Sequence, residues 1–378
     1  MENALEQKNL RLQNEIEQVR KEIKTDNFSM AIRELVQVYR DGDLELFPSY
    51  QRLFRWEDEQ KTRFIESILM GIPTPPIFIA QKKGSKWTIV DGLQRICTIL
   101  QMMGFLEVKD SDGLVKGPLK FTSTERLPSI QGLDWSALNE DAQRIIKMAK
   151  LDMKIILVED NVHAQYELFK RLNTGAVSLE PQEIRNCLII MLDEAFYHKL
   201  DDLKTYQNYK NCINLTEAKN EIEFPMELIL RYFISKHGKV NFGNYNTSSD
   251  LLSDFIDRET SALIEGNEFN IDDEIAVFKR LFDLLNKILG GNSFRRYNNL
   301  KGSFEGSFYQ SSFEAICTGV ANNIGYYEEL SPEDFTNKIK AMYLDERFKE
   351  ISNRGKKAIS RIQGMVEFSN SYFGKHDA

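Results

Sequence analysis

Cysteine is scarce. There are four in 378 residues, Cys97, Cys187, Cys212 and Cys317, and none forms a CxxC pair. That spacing argues against a structural zinc site. Cys97 and Cys187 fall in apolar helical patterns that mark buried thiols, and the usage fits a reducing cytosol. Long apolar runs are missing too: none approaches the roughly 18 residues of a membrane span. The charged start of the chain is not that of a secretory signal, so a cytoplasmic protein is expected. Positive charge is not in excess, since 49 Lys and Arg stand against 57 Asp and Glu for a net charge of −8. A broadly basic nucleic-acid-binding surface is therefore not expected. Two local basic stretches, Arg295-Arg296 with Lys301 and Arg354 to Arg361, read as solvated faces. Internal repeats and long low-complexity segments are absent as well.

The residues that are present, 42% of them hydrophobic, suffice for a sizeable core and two domains. The first 26 residues read as a separate amphipathic helix. Leu5, Asn9, Leu12, Ile16, Val19 and Ile23 recur at alternating spacings of four and three, a heptad seam with Leu5, Leu12 and Val19 at d and Asn9, Ile16 and Ile23 at a. Glu15 at g would meet Arg20 at e of a parallel partner. Two readings stand: a homodimeric coiled coil through residues 5–23, or one helix packed on its own domain.

From residue 27 the pattern is mixed. It predicts a helix over 30–39, a strand over 44–47, a helix over 56–70 stopped by Gly71 and the prolines up to Pro76, and a hairpin of strands 77–80 and 86–90. A further strand is expected at 119–121, a helix at 139–149, a strongly apolar central strand at 151–158, and a helix at 163–173. Beyond a boundary at 176 the predicted elements are helices: 181–192, 225–236, 248–264, 272–289, 311–322, 332–352 and 356–368. The fold class is α+β, with a heptad helix (1–26), an α/β domain (27–176) and an α-helical domain (177–378).

The stretch Lys86 to Leu100 organises the first domain. A β-rich run reaches Val90, Asp91-Gly92 makes a tight turn, and a helical pattern follows from Leu93 to Met103. On a helical wheel Leu93, Ile96, Leu100 and Met103 share the inner face, while Gln94, Arg95 and Thr98 point away. Such a turn suits an anion, because the first N–H groups of a helix lack intrahelical partners and the dipole there favours negative charge. Gly92 permits close approach, Arg95 can fork onto phosphate oxygens, and Asp91 can cap the helix, hold Arg95 or bind Mg²⁺. An Asp cap with an i,i+4 Asp–Arg pair and no ligand is the plainer reading. Tyr50-Gln51-Arg52 and Asn173-Thr-Gly175, followed by Glu183-Ile-Arg185-Asn186, are two more polar clusters, each weak alone; Glu183 and Arg185 could be a surface ion pair.

In this order the clusters resemble domain of unknown function 262, the N-terminal module of GmrSD-type modification-dependent restriction enzymes. Pro48 to Arg52 with Trp56 is similar to that family's proline-tyrosine-glutamine-arginine opening, and Ile65 to Pro76 to its helix-to-strand segment. Val90-Asp-Gly-Leu-Gln-Arg95 resembles its DGQQR signature. Phe169 to Asn186 and Glu227 to Phe233 resemble later blocks. The resemblance covers residue 28 to the end, without the leading heptads. It implies a ParB/sulfiredoxin-like α/β fold with a helical extension, nucleotide binding and hydrolysis at the DGQQR module, and control of an HNH-type nuclease, fused or separate, acting on foreign DNA. Leu93 stands where the family often has Gln or Lys. His163, His198, His237 and His376 show none of the HNH spacing, so the chain is not expected to cut DNA by that chemistry.

The resemblance thus implies an NTPase of a restriction or anti-phage defence system, with Asp91, Gln94 and Arg95 catalytic and Tyr50, Gln51, Arg52, Gly92 and Asn173 binding the nucleotide. Mg²⁺ at Asp91 and a nucleoside triphosphate are the expected cofactor and ligand. A separate nuclease and, in complex, DNA are the expected partners. Two rivals remain: a non-catalytic nucleotide- or DNA-sensing module, and a self-acting ParB-like nuclease.

Overall fold

The structure is a computed structural model that describes residues 2–46, 54, 56–81, 86–107, 115, 117–158, 162–172, 180–237, 239–245, 251–353 and 355–374. It divides into two compact units, Met1–Leu179 and Glu180–Ala378. The architecture is α+β: a small mixed sheet with helices in the first unit, and an almost wholly helical second unit.

Helix α1 (Glu2–Glu22) runs without a break into strand β1 (Ile23–Ala31). Residues 23–31 were expected to continue the helix and then open a new one. They instead pair antiparallel with β5 (Lys150–Val158), from Ile23 opposite Val158 to Ala31 opposite Lys150. Phe28 and Met30 pack on the core while Asn27 and Ser29 face solvent, the period-2 pattern of a strand with one wet face. Helix α2 (Ile32–Arg40) follows, then β2 (Leu44–Glu45), α3 (Asp58–Leu69), β3 (Ile77–Gln81) and β4 (Trp87–Asp91). After β4 come α4 (Leu93–Met102), α5 (Glu140–Met148) and, beyond β5, α6 (Val162–Leu172). Asn139 caps α5 by accepting from the Ala142 N–H at 2.8 Å.

The strand order is β1-β5-β3-β4-β2. The apolar β5 is interior, antiparallel to β1 and parallel to β3. Strands β3 and β4 pair antiparallel as expected, with an irregularity between Phe78 and Ile79 that sets Phe78 opposite Asp91. Ile77, Ile79, Ile89, Ile96, Leu100 and Met153 are sealed from solvent and form the heart of this unit's core.

Residues 119–121 are not a strand. The Phe121 N–H bonds the Leu133 carbonyl and its own carbonyl accepts from Gly132, closing a loop whose Leu119 and Phe121 are buried. One side of α3 anchors the loop: Thr62 Oγ1 accepts from the Thr122 N–H at 3.0 Å, and the buried Glu66 carboxylate accepts from Arg126 N–H at 3.2 Å and Leu127 N–H at 3.0 Å.

The second unit contains α7 (Pro181–Leu192), α8 (Glu194–Thr205), α9 (Gln207–Ile213), α10 (Glu217–Glu221), α11 (Phe224–His237), α12 (Leu252–Glu265) and α13 (Ile271–Ile288). After a short hairpin of β6 (Arg296–Asn298) and β7 (Ser303–Glu305) come α14 (Gln310–Asn322), α15 (Ile324–Glu329), α16 (Pro332–Met342), α17 (Glu346–Ile351) and α18 (Ala358–Tyr372). The helix expected over 332–352 is two helices, because Asp345 starts a second by accepting from the Arg347 and Phe348 N–H groups. An aromatic core of Tyr209, Tyr232, Phe233, Phe278, Phe282 and Phe313 fills the unit. Among the described residues no helix is long and apolar enough to cross a membrane.

Candidate functional site

Strand β4 delivers Asp91 to the sheet's end, and the chain reverses into α4 through Gly92. Gly92 sits at φ +100°, ψ 12°, the left-handed region that side-chain-bearing residues rarely adopt. There is no room for a side chain either: a Cβ would lie 2.9 Å from Ile77 Cγ1 and 3.2 Å from Arg95 Nη2. Gly92 is the N-cap residue and supplies no side-chain cap. The first turn of α4 therefore offers backbone N–H groups at the positive end of a helix dipole, next to a residue without a side chain.

Arg95 is placed differently from the expectation. The wheel set it on an outer face with Gln94 and Thr98, but Arg95 through Met102 are buried without exception. The helix is enclosed on all sides, so a polar residue within it must find partners inside the protein. Arg95 does so. Its Nη1 donates to the Pro75 carbonyl and, at 3.2 Å, to the Pro76 carbonyl, while Nη2 donates to Asp91 Oδ2 at 3.2 Å. Burial lowers the Arg95 pKa from its ordinary value, and the Asp91 carboxylate pulls it back up. The guanidinium thus ties three pieces of backbone together: the end of β4, the start of α4 and the Pro75-Pro76 entry to β3. The position of Arg95 makes it a clamp on the Gly92 turn.

Gln94 is half-buried, and its Oε1 accepts from the Trp56 N–H at 3.1 Å. That bond joins the turn to the segment leading into α3, where Trp56 packs edge-on against Phe64 at 5.6 Å. Leu93, expected on the buried face, is half-buried against the core. Asp91 keeps about a third of its side chain exposed, at 33%. Tyr50, Gln51, Arg52 and Asn173 lie outside the described residues. Of the eight residues singled out for the site, the structure therefore gathers Asp91, Gly92, Gln94 and Arg95.

Among the described residues no group of three or more His, Cys, Asp or Glu could hold a metal ion. A partly exposed carboxylate already paired with Arg95, as Asp91 is, would hold Mg²⁺ only alongside a phosphate ligand, since that ion keeps several waters and needs one or two protein carboxylates.

Residue patterns gave no sign of one polar group near this turn. Lys61 on α3 is buried, with its ammonium 3.0 Å from Asp58 Oδ1 and 4.7 Å from the centre of the Phe54 ring. It sits close enough to influence the Cys97 thiol, whose pKa burial pushes far up and Lys61 draws down. All four cysteines are free and buried.

The later polar cluster has a different character. Arg185, expected as half of a surface pair with Glu183, is completely buried. Its Nε–H donates to Asp257 Oδ1 at 2.7 Å, Nη1 donates to Gln182 Oε1, and Nη1 lies 3.7 Å from Glu227 Oε2. Glu227 in turn accepts from Arg231 at 2.5 and 3.0 Å. Arg231 reaches Glu314 at 3.3 Å, and Glu314 binds Arg361 at 3.1 and 3.2 Å. The series Asp257–Arg185–Glu227–Arg231–Glu314–Arg361 alternates in sign and sums to zero. It braces α7, α11, α12, α14 and α18 from within. Asn186, beside Arg185, accepts from Gln182 Nε2 at 2.9 Å. The Glu-x-Arg-Asn and Glu227-to-Arg231 segments are thus framework of the helical unit.

The family model described as GmrSD restriction endonuclease, N-terminal domain, matches residues 32–190, the stretch from α2 into α7. Residues 32–190 are thus similar to a GmrSD-type N-terminal domain. No curated protein matches. Among solved structures, a Pnob8-like ParB-N domain aligns over 87% of this chain and 97% of its own, at 11% identity and a TM-score of 0.24.

Proposed function

We propose that this chain is the nucleotide-handling component of a DNA restriction or anti-phage defence system, and that it gates a separate nuclease. The match of residues 32–190 to a restriction endonuclease N-terminal domain supports the system. The histidines at 163, 198, 237 and 376 lack nuclease-motif spacing, which supports assigning DNA cleavage to a partner. The observation that carries the nucleotide reading is the Gly92 turn: a left-handed glycine with no space for a Cβ, at a helix start without a side-chain cap, flanked by Asp91 and Arg95.

In this reading the N–H groups at the start of α4 receive phosphate oxygens, and Gly92 gives the turn its left-handed backbone. Asp91 would hold Mg²⁺ carried in on the nucleotide, and that ion would neutralise phosphate charge. Gln94, steadied by the Trp56 amide, orients the water that attacks the terminal phosphorus while the bond to the leaving phosphate oxygen breaks. Arg95 is a positioning residue that keeps the turn in shape. Tyr50, Gln51, Arg52 and Asn173 are assigned to nucleotide binding on the resemblance of their motifs alone. Steady-state turnover of ATP and GTP with Mg²⁺ by the full chain, and by its Asp91→Ala and Gln94→Ala variants, tests this. Turnover is expected to fall by roughly a hundredfold or more in the first, in line with loss of electrostatic stabilisation. Turnover undiminished in both variants removes the assignment.

One observation favours a second reading, a non-catalytic sensor. The donors of Arg95 are directed at the Pro75 and Pro76 carbonyls and at Asp91, and Gln94 Oε1 is engaged by the Trp56 amide. In this second reading the turn holds phosphate through the N–H groups of α4 alone, and neither Arg95 nor Gln94 acts on transferred charge. Tight nucleotide binding without product formation separates this reading from the first.

A further inference from the structure

Every residue from Leu5 to Glu17 of α1 is exposed, including the seam residues Leu5 (62%), Leu12 (52%) and Ile16 (46%). The possibility that this stripe packs on its own domain is therefore closed over that span. Helices in proteins draw most of their stability from packing an apolar face, and this 21-residue helix leaves leucine and isoleucine on that face exposed to water. At its far end α1 is anchored, because the chain enters β1 directly and β1 is paired along nine residues with β5.

We propose that the partner of this face is α1 of a second copy, in a parallel, in-register two-stranded coiled coil. Three features of the seam select that occupant. Isoleucine at a (Ile16) with leucine at d (Leu5, Leu12) is the combination that favours two strands. Asn9 at a faces its own counterpart only in a parallel, in-register pair, where the two amides hydrogen-bond. In an antiparallel pair it would face a d-position apolar residue and lose that partner. Across the parallel pair, Glu15 at g is matched in sequence with Arg20 at e of the other helix, an opposite-charge contact. Two α/β units would then leave the coil at the same end. The inference does not depend on nucleotide binding at the Gly92 turn.

The test uses the full chain. Sedimentation equilibrium at tens of micromolar is expected to give twice the 43.9 kDa chain mass, and Leu12→Glu or Ile16→Glu should return the monomer with the circular dichroism of the folded units retained. Asn9→Cys adds a thiol to a protein whose own four cysteines are all buried. Mild oxidation should then link nearly all of it as a disulfide dimer, whereas Asn14→Cys, on the outward f position, should link far less. A monomeric wild-type chain, or a dimer that Leu12→Glu leaves intact, overturns the proposal. So does equal cross-linking of the two cysteine variants, which would mean that position 9 does not face itself.

Discussion

Arg185 and Asp257 are separated by 72 residues of chain and meet at 2.7 Å, with the arginine side chain wholly shut off from solvent. A buried cation of this kind is held by geometry, because its desolvation is offset only if every donor finds an acceptor. The Asp257 carboxylate, the Gln182 amide oxygen, the Ser253 carbonyl and the Glu227 carboxylate supply them.

Removing one member should cost far more than the pair is worth. Asp257→Ala leaves Arg185 short of its closest counter-charge and is expected to destabilise the helical unit by about 3–5 kcal/mol. The double variant Arg185→Met/Asp257→Leu should recover a substantial part of that loss, held back by Glu227, which would then keep only Arg231. Urea denaturation followed by circular dichroism measures both. A single-variant loss below about 1 kcal/mol, the range of exposed pairs, would contradict the buried network.

Whether an element is legible in the sequence comes down to the range of its interactions. The Gly92 turn is legible because its determinants are contiguous: β-rich residues up to Val90, a turn dipeptide, then apolar residues at helical spacing. The Arg185 network is not, since nothing near Arg185 names Asp257, and nothing near Arg231 names Glu314 or Arg361. Strand β1 escapes for another reason. Lys24, Thr25, Asp26 and Asn27 carry almost no β signal, and the strand exists because β5, strongly apolar and interior, supplies a long edge to pair with. The same burial defeats the helical wheel at α4, which sorts residues by polarity. An enclosed helix keeps Arg95 and Thr98 inside by giving them partners, Pro75, Pro76 and Asp91 for one and the Gln94 carbonyl for the other.

Gly92→Ala should show what the turn requires. The left-handed backbone alone costs a non-glycine residue about 1–3 kcal/mol, and the new methyl would meet Ile77 Cγ1 at 2.9 Å. A fall in the thermal midpoint of several degrees, together with loss of nucleotide affinity measured by calorimetry, is expected. Unchanged affinity in a folded Gly92→Ala protein would move the phosphate site away from this turn.

Arg95→Lys separates charge from shape. Lysine keeps the positive charge but lacks the planar fork that reaches both proline carbonyls and Asp91. If Arg95 is a clamp, the variant should lose about 1–3 kcal/mol of stability and a large part of its nucleotide affinity. If Arg95 chiefly contributes charge to a bound phosphate, affinity should be largely kept. The two quantities, read on one preparation, decide between the roles.

Glu66 sets a pH dependence whose direction can be worked out. The Thr124 hydroxyl, against the opposing effect of burial, and the Leu127 and Arg126 N–H groups hold its carboxyl below the ordinary carboxylate value. A folded pKa below the unfolded one, about 4.3 for a glutamate, means a contribution fully present above that value and lost as pH falls through the depressed folded value. Glu66→Gln keeps an acceptor oxygen but loses the charge, so at neutral pH it should be less stable by about 1–2 kcal/mol. The gap should narrow steadily below about pH 4, where the wild-type carboxyl takes up its proton. Denaturation of both proteins between neutral and acid pH checks this. A gap that stays constant or widens with acid would mean that the loop over 122–127 does not draw on the Glu66 charge, and that α3 holds it by the Thr62 bond and apolar packing alone.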